Sequence, residues 1–168
     1  MADLATRDAS LPAVRELVER SLRDETATDA VNDALGRAAQ FGHADVVSDL
    51  IGLGADVDYS GAAGLPVMVW AARPLQVPVS PVDGLDANKA DVVQNLARAG
   101  ADIEARAIDG LTALIAAAMN SAELPLAVIG ILLDAGADPT GALDDGRTAT
   151  DLARELGRDD IVKLIEGS

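Results

Sequence analysis

An all-α solenoid of about five stacked helix-turn-helix units is the fold class this sequence predicts, on three observations. A helix-stop motif recurs, as Gly54-Ala55-Asp56, Gly100-Ala101-Asp102 and Gly136-Ala137-Asp138. Each stop follows an apolar stretch with helical spacing, which is itself preceded by a segment carrying an Ala pair. The apolar residues, 49% of the 168, are mostly Ala, Leu and Val, with one Trp, one Tyr and one Phe. Such small side chains suit closely approaching helices better than a β-sandwich, which favours aromatic and β-branched residues.

Each element has a local reason. In the stops, Gly supplies the left-handed conformation that ends a helix, and the Asp after it can bond its own backbone in the turn. The helices before the stops carry Val46, Val47, Leu50 and Ile51, then Val92, Val93 and Leu96, then Val128, Ile129, Leu132 and Leu133. These spacings are those of amphipathic helices. The Ala pairs are Ala38-Ala39, Ala71-Ala72 and Ala117-Ala118, where missing bulk lets a neighbouring helix come close. At the C-terminal end, Gly146 to Ala153 opens a helix and Ile161 to Ile165 forms another, without a further stop motif. At the N-terminal end, Asp3 to Asp8 and Leu11 to Leu22 form a first pair, with Pro12 at a helix start, where its missing donor costs nothing.

The predicted organisation is a single domain over 1–168. It has an N-terminal capping unit at 2–29, internal units at 30–60, 61–105 and 106–140, and a C-terminal capping unit at 141–168. Charged, less regular end units protect the open faces of a stacked array from water. Two insertions break the period. The longer, 73–90, exceeds the matching stretch of the first internal unit by about a dozen residues, and Pro74, Pro78 and Pro81 prevent continuous helix there. A shorter one lies around Ser121 to Pro125.

With these residues laid out, the chain resembles the ankyrin-repeat family over nearly its whole length. The motifs that carry the resemblance are Gly42-His43 with Val46-Val47 and Gly54-Ala55-Asp56-Val57-Asp58, Asp109-Gly110-Leu111-Thr112-Ala113-Leu114, and Asp145-Gly146-Arg147-Thr148-Ala149 with Asp160-Ile161-Val162-Lys163. The resemblance implies short β-turn fingers between helix pairs, and a concave groove formed by the fingers and the first helix of each pair. The chain departs from the family where the His of the Thr-Pro-Leu-His opening would stand, since Gly36, Val69, Ile115 and Asp151 occupy that place. The hydrogen bonds that this His makes between units are therefore expected to be missing, and stability to rest more on packing. Thr112 and Thr148 keep the opening Thr, whereas Pro66 replaces it in the second internal unit, whose turn is expected to differ in detail.

Charge and composition restrict the function. The net charge of −15, from 28 acidic against 13 basic residues, is spread along the chain, so the whole surface should be negative. That disfavours nucleic acid and anionic membranes and favours a protein partner with a basic face. There is no Cys, which excludes disulfides and thiolate chemistry. The start of the chain, Met1 to Asp8, is acidic where a signal peptide is basic, and no apolar run reaches membrane-spanning length; a soluble, cytoplasmic monomer is expected.

Catalysis lacks its residues. His43 is the only imidazole and sits in the Gly-His step between helices, a structural place. Gly52-Leu53-Gly54 lacks the Lys-Ser/Thr of a phosphate loop and lies at a helix C-terminus, where the dipole disfavours anions. The alternating acids Asp56/Asp58 and Asp102/Glu104 could face a cation, but the other oxygen ligands of a Ca²⁺ loop are absent. Neither enzyme activity, nor a metal site, nor a cofactor is expected.

What remains is a protein-binding module. Mapped onto the concave groove that the resemblance implies, the candidate partner-binding residues are Tyr59, Ile108, Asp109, Leu111, Met119, Asn120, Phe41, Arg73 and Arg147. Tyr59, Phe41, Ile108, Leu111 and Met119 are apolar where the family leaves positions exposed, which makes them candidate anchors, although Phe41 could instead pack against the insertion. Trp70 falls at a position that packs between units and is read as core. Two other readings are an acidic inhibitor or immunity-type protein covering the basic site of a toxin or nuclease, and a small-molecule binder or enzyme using the loop 73–90.

Overall fold

The computed structural model describes residues 25–61, 64–74, 87–119 and 125–167. Most of the expected N-terminal capping unit, the middle of the 73–90 insertion, the start of the shorter insertion and Asn120 lie outside them.

Among the described residues eight helices form four pairs: α1 (Glu25–Phe41) with α2 (Ala44–Gly52), α3 (Val67–Ala72) with α4 (Ala87–Arg98), α5 (Ala113–Ala118) with α6 (Pro125–Asp134), and α7 (Ala149–Glu155) with α8 (Asp159–Glu166). The first helices stack in the order α1, α3, α5, α7, and the second helices in the order α2, α4, α6, α8. This is the all-α repeat solenoid expected from the sequence. Two details differ from the expected spans. Helix α1 runs unbroken through residues 29 and 30, and α4 begins at Ala87, inside the expected insertion. No described helix is long and apolar enough to cross a membrane.

The Ala pairs do what their size permits. Ala38, Ala39, Ala71, Ala72, Ala117 and Ala118 are all buried, and with Leu35, Leu50, Met68, Val93, Leu96, Leu114, Ile115, Ile129, Leu132 and Ile161 they form one continuous core. The helix stops are alike in detail. The N–H of Ala55 donates to the carbonyl of Leu50 at 3.0 Å and that of Gly54 to Ile51 at 3.0 Å, and the same double closure recurs at Ala101/Gly100 and Ala137/Gly136. That six-to-one and five-to-two pattern needs a left-handed residue, and Gly100 supplies it at φ 88°.

The helix starts follow the opening residue. Thr112 accepts from the Ile115 N–H. Thr148 forms a reciprocal capping box with Asp151, the residue standing where the family has His, whose carboxylate accepts from both the N–H and the hydroxyl of Thr148 at 3.0 and 2.8 Å. Pro66 caps with no side-chain hydrogen bond, yet its finger closes through the same antiparallel bridge, Ser60 with Pro66 as Ala142 with Thr148.

With Gly36, Val69, Ile115 and Asp151 at the family's His position, side-chain hydrogen bonds from other positions tie the turns in place. Asn32 accepts from the Asp56 N–H at 2.9 Å, Asp58 from the Asp102 N–H at 2.7 Å, and Glu104 from the Asp138 N–H at 2.9 Å. The first ties helix α1 to the turn after α2, and the other two each join one turn to the next. The first acid of each turn folds back instead: Asp56 accepts from the Asp58 N–H, Asp102 from Glu104, and Asp138 from both the N–H and the hydroxyl of Thr140. The alternating acids thus have separate duties, one closing its own turn and the other reaching the neighbouring unit.

In the last pair, Arg158 holds Asp160 through two hydrogen bonds of 2.9 and 2.8 Å, and this pairing lowers the Asp160 pKa to about 2.

Two outcomes follow. Asp58→Ala speeds hydrogen exchange at the Asp102 amide while Asp58→Asn, which keeps an acceptor oxygen, largely preserves its protection, as read by NMR. Because the folded pKa of Asp160 lies below its unfolded value near 4, its stabilisation is complete above about pH 4 and is lost as pH falls through about 2. The Tm gap between the parent and Asp160→Asn should therefore be full at pH 5 and close on approach to pH 2.

Candidate functional site

The finger between the second and third helix pairs begins the site. It turns at Ile108–Gly110, and Asp109 takes φ 68° and ψ 15°, the left-handed region that a short polar side chain tolerates better than a branched one. Among the described residues it is the only non-Gly with positive φ. Its carbonyl accepts the Asp144 N–H at 3.0 Å, joining this finger to the next. Gly110 permits the approach: a Cβ there would lie 3.1 to 3.2 Å from the Asp144 carboxylate and backbone and the Ala142 carbonyl.

This junction shapes a groove of about 370 Å³ lined by Ile108, Asp109, Leu111, Met119, Leu143, Asp144, Asp145 and Arg147. Ile108 is 70% exposed and Met119 48%, so the apolar floor is open to solvent. Leu111 is half-buried and packs on the core, as does Leu143. Asp109, Asp144 and Asp145 make the rim acidic. Arg147 is drawn aside by Asp145 at 2.7 Å and Glu155 at 3.3 Å, which raises its pKa and lowers that of Asp145. Asp109 and Asp144 form no ion pair among the described residues.

The other candidates separate from these. Tyr59 is half-buried, and its hydroxyl donates to Asp33 at 2.7 Å, a hydrogen bond that raises the phenol pKa. It lines a second groove, of about 310 Å³, with Asp33, Gly36, Arg37, Gln40, Gly61 and Trp70. Trp70 is thus a half-exposed groove residue, not a core one. Its neighbours Val67, Met68, Val69, Ala71 and Ala72 take the buried positions of the short helix α3 and leave position 70 at the surface. Arg73 lies against the Trp70 ring, its guanidinium carbon 5.8 Å from the ring centre. Phe41 is 37% exposed at the end of α1, beside His43 at 6.5 Å between ring centres, and lines neither groove. Asn120 is outside the described residues.

Sequence reasoning missed Lys89. It is 5% exposed, and its ammonium donates to the carbonyls of Ala71 at 3.2 Å, Trp70 at 3.5 Å and Arg73, at the C-terminus of α3. Those carbonyls have no further helical turn to bond, and a cation there also opposes the negative end of the helix dipole. No sequence signal marks it, because its partners are backbone carbonyls and the first helices of the other pairs also end without a Gly-Ala-Asp stop. Asp33, Gly36 and Arg37 were likewise not singled out as partner-binding residues, since a half-exposed helix face carries no motif.

Among the described residues no three His, Cys, Asp or Glu side chains gather where a metal ion could be held.

The left-handed turn has a measurable signature. Asp109→Gly should hold or raise thermal stability. Gly110→Ala should lower it by about 1–3 kcal/mol, through positive φ and the tight contact with the next finger, as measured by urea unfolding.

A family model described as ankyrin repeats, in three copies, matches residues 85–167, which span α4 to α8 and the finger groove. No curated protein matches the chain.

Proposed function

Because the chain belongs to the ankyrin-repeat family, whose repeats generally mediate protein–protein interaction, we propose that it is a non-catalytic module that binds a partner protein with a basic face through the groove between its third and fourth helix pairs. The observation that carries this reading is the open apolar floor of Ile108 and Met119 beneath an acidic rim. A folded monomer gains nothing from exposing such residues together, whereas a partner that covers them removes apolar area from water at roughly 25 cal/mol per Å². Asp109 and Asp144 would meet lysines or arginines of the partner, and the net charge of −15 would speed their encounter. Arg147, clamped by Asp145 and Glu155, would shape the rim without opposing a cation strongly.

The test is capture of partners from the native cell lysate on immobilised parent protein and on an Ile108→Ala/Met119→Ala variant, at low and high salt. One basic protein retained by the parent, released by salt and bound at least tenfold more weakly by the variant supports the reading. Equal retention by both forms would move the interface elsewhere.

A further inference from the structure

Acidic residues outnumber basic ones 28 to 13, so arginines have carboxylates in abundance. Arg147, Arg154 and Arg158 each take at least one. Arg37, Arg73, Arg98 and Arg106 take none among the described residues, and of these Arg37 lines the second groove while Arg73 lies against its Trp70.

We propose that this groove receives an acidic side chain of a protein partner, with Arg37 and Arg73 holding the carboxylate and Trp70 and Tyr59 covering an apolar residue beside it. An arginine lying on an aromatic ring keeps its N–H edges free, so Arg73 is positioned by Trp70 yet retains the planar fork that matches a carboxylate. The carboxylate already in the groove, Asp33, accepts from the Tyr59 hydroxyl at 2.7 Å and pairs with neither guanidinium among the described residues. Acids more than about 8 Å away are largely screened at physiological salt, so the charges at the groove itself, Arg37 and Arg73 against Asp33 and Asp29, set what binds. The wall also has room: a Cβ at Gly61 would stand 3.9 Å from both the Trp70 and the Tyr59 ring. This site is separate from the acid-rimmed groove and asks for the opposite charge, so a partner spanning both would present basic residues to one and an acidic residue to the other.

Trp70 is the only tryptophan of the chain, so its fluorescence reports occupancy directly. The full chain is titrated with blocked peptides Glu-Leu-Asp-Leu, Gln-Leu-Asn-Leu and Lys-Leu-Lys-Leu. The expected result is a saturable change in Trp70 emission with the acidic peptide, at least fivefold weaker or absent with its amide counterpart and with the basic one. Arg37→Gln and Arg73→Gln each weaken binding at least fivefold with unchanged circular dichroism. Gly61→Leu, which fills the groove and leaves both charges in place, abolishes it. Leu156→Ala, at an exposed apolar residue of neither groove, binds the acidic peptide like the parent, and because the peptide test does not involve Ile108 or Met119, its failure is distinct from failure of the other groove. No saturable change up to about millimolar peptide, equal binding of the amide peptide, or preference for the basic peptide would overturn the proposal.

Discussion

The stacking of one helix pair on the next is the contact on which everything else in this protein depends. A pair such as α5 and α6 offers Ala117, Ala118, Ile129 and Leu132 to the core, and it cannot cover them alone because each helix is two or three turns long. Burial becomes complete only where α3 and α4 close one side and α7 and α8 the other. Alanine is the enabling residue: with no side chain beyond Cβ it loses no rotamer freedom and lets the first helices stack closely enough to bury one another's faces. The consequence is a stability built from neighbour contacts and therefore sensitive to anything that alters the spacing of units.

Directional bonds fix that spacing. The links from Asp58 to Asp102 and from Glu104 to Asp138 join successive turns, that from Asn32 to Asp56 ties α1 to the turn after α2, and the backbone bond from Asp144 to Asp109 ties adjacent fingers. A carboxylate accepting a backbone N–H, as Asp58 and Glu104 do, makes a charge-assisted bond, stronger than a neutral pair.

Features determined within a few residues were legible from the sequence; those made between distant residues were not. The Gly-Ala-Asp stops, the Ala pairs and the Thr caps announce themselves because their geometry is closed within six residues. The ladder between turns was invisible because Asp58 and Asp102 are far apart in the chain, and the alternating acids read equally well as a weak cation site. Lys89 was invisible for a different reason: its partners are backbone carbonyls, which have no side-chain signature. Of the candidate residues, Ile108, Asp109, Leu111, Met119 and Arg147 line one groove, because finger and helix-end positions repeat with the unit. Trp70 was misplaced because a tryptophan in an apolar run suggests core, while in a six-residue helix with five buried neighbours the remaining position is the surface one.

The same repetition explains how one scaffold can hold two grooves of unlike character. Gln40, Arg73, Met119 and Glu155 occupy equivalent places at the ends of successive first helices. None of them belongs to the buried core, so exchanging one for another leaves the stack intact. Where Met119 stands, the groove floor is apolar and the finger acids set the rim. Where Arg73 stands, a guanidinium rests on Trp70 and the local character changes sign. Stability rests in the alanines, the stops and the ladder, and the character of the concave face rests in positions those features do not touch. The lining of each groove can therefore change one position at a time along the stack, because the residues that hold the units together are different from those at the helix ends that border the grooves.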